Sequence, residues 1–167
     1  MIKIQLTKGQ ETVVSDEDAD LVQFKWTAAI AFNYVGGGKF RVKRNRTVGN
    51  GKQATELMHR VILSRMLGRP LNRDEFVDHR DSNPLNNTRE NLRLATNSQN
   101  QMNRCKVSNT TSHLKGVSWH KGNKSWDAQI KVDGKSIHIG SFSTQEDAHE
   151  AYKKAAIKYF GEFARFD

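Results

Sequence analysis

From Phe76 to Asn100 the chain reads Phe-Val-Asp-His-Arg-Asp-Ser-Asn-Pro-Leu-Asn-Asn-Thr-Arg-Glu-Asn-Leu-Arg-Leu-Ala-Thr-Asn-Ser-Gln-Asn. A carboxylate, Asp78, adjoins an imidazole, His79; Asn91 follows twelve positions later and Asn100 nine beyond that. Hydrolysis of a phosphodiester needs a base for the attacking water and positive charge for the departing oxygen. Carboxylate and amide oxygens are hard ligands suited to magnesium or manganese. An imidazole, with an ordinary pKa of about 6.5, abstracts protons near neutral pH. The expectation is therefore one divalent ion, Mg2+ or Mn2+, held by Asp78 and Asn100, with His79 as the base.

Such a site needs a strand, a loop and a helix to assemble it. Phe76–His79 reads as a short strand entering a polar loop, and Thr88–Arg93 as the start of a helix that would fold Asn100 back against Asp78. Asp81, Asn83, Asn86 and Asn87 are expected to hold the loop through side-chain to backbone bonds. Upstream, Glu56–Leu67 reads as an amphipathic helix with Leu57, Met58, Val61 and Ile62 turned inward, ending before Gly68 and Pro70. It carries His59, read as a structural group, and Arg60, whose guanidinium offers bidentate donors to a scissile phosphate. Arg80 and Arg93 suit phosphate contacts or surface ion pairs.

The rest of the N-terminal region reads as mixed α and β. Met1–Leu6 and Glu11–Val14 are expected as strands around Lys8-Gly9, with Ser15 or Asp16 capping a helix toward Trp26. In Lys39–Lys43, apolar and basic residues alternate, so a strand sets Phe40 and Val42 opposite the cations, and Arg44 and Arg46 extend the basic band. That face is either simply solvated or a phosphate-contacting ribbon, with Arg41, Lys43 and Arg44 as its DNA contacts.

Charge and composition bound the partners. The chain has 167 residues, 36% of them hydrophobic, enough for one ordinary domain or two small ones. A net charge of +9 and a pI of about 9.8 suit a polyanionic partner. A lone cysteine, Cys105, excludes an internal disulfide and a multi-cysteine zinc cluster and fits a reducing cytoplasm. No apolar run approaches the roughly 20 residues that span a bilayer, and Met1–Leu6 alternates instead of forming a signal-peptide core. A soluble, cytoplasmic protein with no membrane partner is expected.

The C-terminal third has its own organisation. Gly116–Trp119, Ser125–Val132 and Lys135–Gly140 read as three strands, the last two joined at Asp133-Gly134, a strong hairpin signal. Ser143 and Glu146 form a possible capping box for a helix with Ala148, Ala151, Tyr152, Ala155, Ala156 and Tyr159 at helical spacing. Small residues there allow the helix to approach the sheet closely, with Trp126 in the core. The sheet presents cations together with polar and aromatic groups, the equipment of a β-ribbon lying in the major groove. Between the two regions, Asn97–Ser112 is rich in Asn, Ser and Lys and reads as a linker.

The stretch from Leu57-Met58-His59-Arg60 to Asn103, with its Asn91-Leu92-Arg93 tripeptide, resembles the HNH nuclease motif in the His-Asn-Asn version of phage and intron homing endonucleases. By that resemblance His79 is the general base, Asn91 orients it, and Asn100 helps Asp78 hold the metal. Asn100 stands where many relatives have histidine, which favours magnesium or manganese over zinc. The run from Lys115 to Phe166 resembles the plant ethylene-response-factor (Apetala-type) DNA-binding domain. The matching residues are Lys115-Gly116-Val117, Trp126-Asp127-Ala128-Gln129-Ile130, Ile139-Gly140-Ser141-Phe142 and Glu146 to Tyr152. This second resemblance implies DNA contacts from Trp119, Lys121, Lys124, Gln129, Lys131 and His138, with the helix as support.

Together these readings predict an α+β chain: a mixed α/β region with a ββα-metal HNH motif, then a three-stranded antiparallel sheet packed on one helix. The expected divisions are a nuclease domain over 1–105, a linker over 106–113 and a DNA-binding domain over 114–167. The expected activity is site-directed cleavage of double-stranded DNA, nicking or homing, by a monomer or weak dimer. The competing reading is an inactive, sequence-specific DNA-binding regulator.

Overall fold

The computed structural model of the chain describes residues 1–30, 40–102 and 112–166. It divides into two compact units, Met1–Asn97 and Ser98–Asp167. Lys39 and most of the expected linker, 106–111, lie outside the described residues.

In the first unit, β1 (Ile2–Gln5) and β2 (Glu11–Val14) form the expected antiparallel hairpin, Ile2 opposite Val14. Alternation sends Ile4, Thr12 and Val14 into the core. Asp16–Gln23 then winds as a 3-10 helix, tighter than the helix expected there. Its Asp18 carboxylate is fully buried, paired to Arg65 at 3.1 Å and Arg89 at 2.7 Å. A charge removed from water in this way needs such partners.

β3 (Thr27–Ile30), β4 (Phe40–Thr47) and β5 (Gln53–Leu57) form an antiparallel sheet with β4 central. The expected helix over Glu56–Leu67 is thereby shortened: Gln53–Leu57 extends alongside β4, and α1 runs from Met58 to Leu67. Glu56 bridges Arg44 and Arg46 across that pair, at 2.7 and 2.6 Å, which favours the extended form over another helical turn. α1 buries Met58, Ile62 and Leu63 and stops at Gly68, a left-handed residue (φ 65°) that only glycine adopts without strain.

β6 (Phe76–His79), β7 (Asn86–Asn87), β8 (Leu92–Ala95) and α2 (Asn97–Met102) follow. The helix expected to begin over Thr88–Arg93 is instead a turn leading into β8, which pairs antiparallel with β6 and sets Asp78 opposite Arg93. A buried carboxylate on β6 needs a cation on the adjoining strand, and extended backbone supplies it. β7 pairs parallel with β2, so the N-terminal hairpin braces the polar loop. Ile4, Val14, Trp26, Val42, Met58, Ile62 and Leu92 fill the core beneath.

The second unit holds β9 (Val117–His120), β10 (Ser125–Val132) and β11 (Lys135–Phe142), ordered β11-β10-β9, with α3 (Gln145–Phe160) packed across them. Asp133 and Gly134 both have positive φ, 47° and 80°, as a two-residue hairpin of this kind requires. Thr144, one residue beyond the expected cap, accepts from the Asp147 amide at 3.1 Å and starts α3. Val117, Ala128 and Ala148 are buried together, with Trp126 and Phe142 packed against them. At Gly116 (φ 77°) a Cβ would fall 2.0 Å from the Tyr152 ring, so only glycine lets the helix come this close.

Candidate active site and nucleic-acid interface

Asp78 and His79 are neighbours on β6, so their side chains leave opposite faces of the strand. Asp78 is buried and its Oδ2 accepts from Arg93 Nε at 2.7 Å. His79, on the other face, is half-buried and meets Asn87 Oδ1 through Nε2 at 3.3 Å.

The polarity of that contact is set by groups deeper in the protein. Thr12 Oγ1 donates to the Leu85 carbonyl at 2.7 Å, so its lone pair accepts from Asn87 Nδ2, 2.8 Å away. Asn87 Nδ2 also donates to the Pro84 carbonyl at 3.2 Å. The Asn87 amide nitrogen is thus committed, and its oxygen faces His79. This network assigns the proton to Nε2 of His79 and leaves the lone pair of a neutral ring on Nδ1.

Asn91 does not touch the imidazole in this arrangement; it grips the backbone just after it. Its Oδ1 accepts from the Asp81 amide at 3.0 Å, and its Nδ2 donates to Asp81 Oδ1 at 2.9 Å and to the Asn86 carbonyl at 2.8 Å. Its own carbonyl accepts from Arg80 N at 2.9 Å. Asp81 accepts further from Asn83 N and Asn86 Nδ2, at 2.7 and 2.8 Å. The asparagine-rich loop is therefore cross-braced from within, as its composition suggested.

His59, on the first turn of α1, stands edge-on to His79, ring centroids 5.3 Å apart and planes at 80°. Its Nδ1 is enclosed and has no hydrogen-bond partner among the described residues. Burial, and then the charges of His79, Arg60 and Arg41, push the His59 imidazole down to about 3. Arg60, expected at a scissile phosphate, donates to the carbonyls of Leu71, Asn72 and Glu75 at 3.3, 2.9 and 2.7 Å. Those bonds fix the turn that leads into β6.

The basic strand divides by face. Arg41 is exposed and Lys43 half-buried on one side of β4. Arg44 lies with Phe40 and Val42 on the other, its guanidinium 3.8 Å from the Phe24 ring centroid and paired to Glu56. Arg44 thus covers the core where a DNA contact was expected.

Asn100 is carried by α2, across the boundary between the units, and is half-buried. The chemistry of the donor set, one carboxylate and one amide oxygen, fits a hard divalent ion. Among the described residues no three His, Cys, Asp or Glu side chains gather as a metal cluster.

In the second unit the strand register sorts the expected DNA contacts. Trp119 pairs with Trp126 and Val117 with Ala128, so Trp119 is on the core-side face, its ring 5.0 Å from that of Trp126. Gln129, Lys131 and His138 are exposed on the outer face, and Lys121 and Lys124 in the β9–β10 turn. Ser118, His120 and Asp127 share that outer face. These three, like Thr12 and Asn87, had no assigned site role; simple alternation from Val117 points to Ser118 and His120.

A family model described as HNH endonuclease matches residues 56–102, and one described as AP2 domain matches 112–162. A protein of Escherichia phage T7, Protein 3.8, is 35% identical over 97 residues, which cover 79% of its length. The chain belongs to the HNH endonuclease family. An uncharacterized HNH endonuclease of Acanthamoeba polyphaga mimivirus is 38% identical over 107 residues, so this HNH chain spans 54% of that relative's length. Its second unit carries the AP2 domain, 48% identical over 52 residues to an AP2-like ethylene-responsive transcription factor of Oryza sativa, and covers 8% of that protein. The HNH match contains Asp78, His79, Asn91 and Asn100, and the AP2 match contains the outer face of the sheet. No helix among the described residues is long and apolar enough to cross a membrane.

Proposed function

We propose that this chain is a DNA endonuclease that hydrolyses phosphodiester bonds with His79 as general base, held at its site on double-stranded DNA by the outer face of the C-terminal sheet. The observation that carries this reading is the fixed ring of His79, with Nε2–H committed to Asn87 and the lone pair on Nδ1. A water attacks phosphorus while Nδ1 takes its proton; the bond to the 3′ oxygen breaks, that oxygen takes a proton from solvent, and the products are a 5′ phosphate and a 3′ hydroxyl. Asp78 and Asn100 would hold a divalent ion, Mg2+ or Mn2+, which when bound would supply positive charge for the departing oxygen. Because Asp78 and His79 leave opposite faces of β6, this requires the scissile phosphate to lie at the end of the strand, within reach of both. A carboxylate has lone pairs for both Arg93 and a cation. Asn91 acts as a positioning residue through the Arg80 and Asp81 backbone. Arg41, close enough to His59 to depress its basicity, is the cation of β4 best suited to the DNA backbone.

One such site cuts one strand, so a monomer nicks, and a double-strand break needs a dimer or a second binding event. The AP2 domain makes the cleavage site-directed, as in a nicking or homing enzyme. Metal-dependent nicking of supercoiled DNA that disappears in His79→Ala is the test.

A further inference from the structure

The outer face of the sheet holds one group that a polyanion-binding surface would be expected to avoid. Asp127, in the middle of a face with Lys131, His120 and His138, carries a full negative charge toward the side that, on the reading above, meets DNA. Its carboxylate is held in place. Ser141 Oγ donates to Oδ1 at 2.6 Å and Ser125 Oγ to the same oxygen at 3.4 Å. The Ser141 hydroxyl foremost, with the charges of His120 and His138, holds the Asp127 carboxyl below the usual range, so it is ionised at neutral pH. Both hydroxyls converge on Oδ1, and among the described residues no hydrogen bond to Oδ2 is made.

An ionised carboxylate only accepts hydrogen bonds, so phosphates repel it and the acceptor edges of guanine and thymine offer it nothing. In the major groove only the N4 amino group of cytosine and the N6 amino group of adenine can donate to it. We infer that Asp127 is a specificity-determining residue of the AP2 domain, whose fixed carboxylate accepts from a cytosine or adenine amino group and excludes guanine and thymine at one position of the target. The inference rests on the reading that this sheet face binds DNA. It also assigns the two serines a function beyond sheet stability: they aim the carboxylate.

The test is selection of binding sites from a random duplex pool by the full chain, in EDTA so that the DNA stays intact, alongside Asp127→Asn, Asp127→Ala and Lys131→Ala. Asparagine keeps an oxygen for Ser141 and offers an amino group where the carboxylate had its second oxygen. Asp127→Asn should move the preference at a single position from cytosine or adenine to guanine or thymine, a discrimination on the order of 10-fold. Asp127→Ala should flatten that position and strengthen binding to unrelated sequence. If Lys131→Ala weakens binding while both Asp127 variants select the same sites as the parent, the inference is overturned and the DNA-binding face stands. If Lys131→Ala and both Asp127 variants all bind as the parent does, the face itself is wrong and the inference falls with it.

Discussion

His79 and Asn87 are joined by a 3.3 Å hydrogen bond whose direction is decided 75 residues away in sequence, by the hydroxyl of Thr12. The Leu85 carbonyl accepts a hydrogen bond from the Thr12 hydroxyl, that hydroxyl accepts one from Asn87 Nδ2, and Asn87 Oδ1 accepts one from His79 Nε2. Replacing Thr12 by valine removes the acceptor and lets the Asn87 amide turn. On the scale of outer-shell partners, kcat for cleavage should fall on the order of 10-fold with KM for DNA little changed. Thr12→Ser should retain activity. Wild-type kcat in Thr12→Val would show that the chain of bonds does not orient the base.

The neighbouring contact, His59 against His79, gives a pH dependence of stability. His59 titrates near 6.5 when unfolded and near 3 in the fold. Between those values the unfolded chain binds a proton that the folded chain does not, so this group's contribution to stability is complete above about 6.5 and is lost as pH falls toward 3. His59→Phe cannot titrate. Urea unfolding at pH 7.5 and pH 4.5 should therefore show a smaller loss on acidification in His59→Phe than in the parent, and equal losses would contradict the assignment.

Asp78 serves both stability and the proposed chemistry, and the two can be separated. Asp78→Ala removes a carboxylate partner of the buried Arg93 and should cost about 3–5 kcal/mol, together with all metal-dependent cleavage. Replacing Asp78 and Arg93 together by apolar residues should restore most of the stability, read by denaturant unfolding, and none of the cleavage. Cleavage by the doubly substituted protein would remove Asp78 from the metal site.

On the basic strand, the structure separates two arginines that sequence treats alike. Arg41→Ala should lower the slope of log affinity against log salt by about 1, the loss of one phosphate contact. Arg44→Ala should leave that slope unchanged and lower the thermal midpoint, because its guanidinium packs on Phe24 and pairs with Glu56. The reverse pattern would exchange their roles.

Much of this was legible where local pattern and long-range packing agree. The hairpin of β1 and β2, the strand Phe76–His79, the Asp133-Gly134 turn and the alanine face of α3 follow from periodicity alone. Gln53–Leu57 was not legible, because an extended Glu56 makes sense only once Arg44 and Arg46 lie across from it. Leu92–Ala95 read as the continuation of a helix for the same reason: its pairing answers to Asp78, well upstream. Aromatic character pointed Trp119 toward a base contact, and strand register sets it beside Trp126, a pairing that nothing local to β9 announces. Among the candidate site residues, adjacency marked Asp78 and His79. Which of several similar asparagines meets the imidazole was decided by Thr12, and nothing local to the loop carries that information.

The measurement closest to the central claim is conversion of supercoiled plasmid to nicked circles by the purified protein, with Mg2+, with Mn2+ or with EDTA, beside His79→Ala. Nicking that requires the divalent ion and falls at least about 100-fold in His79→Ala, with DNA binding retained, is the predicted result. Nicking by His79→Ala at the parent rate would contradict the role of His79; intact plasmid in every lane, with the protein still shifting DNA, would contradict the endonuclease reading and leave a DNA-binding regulator.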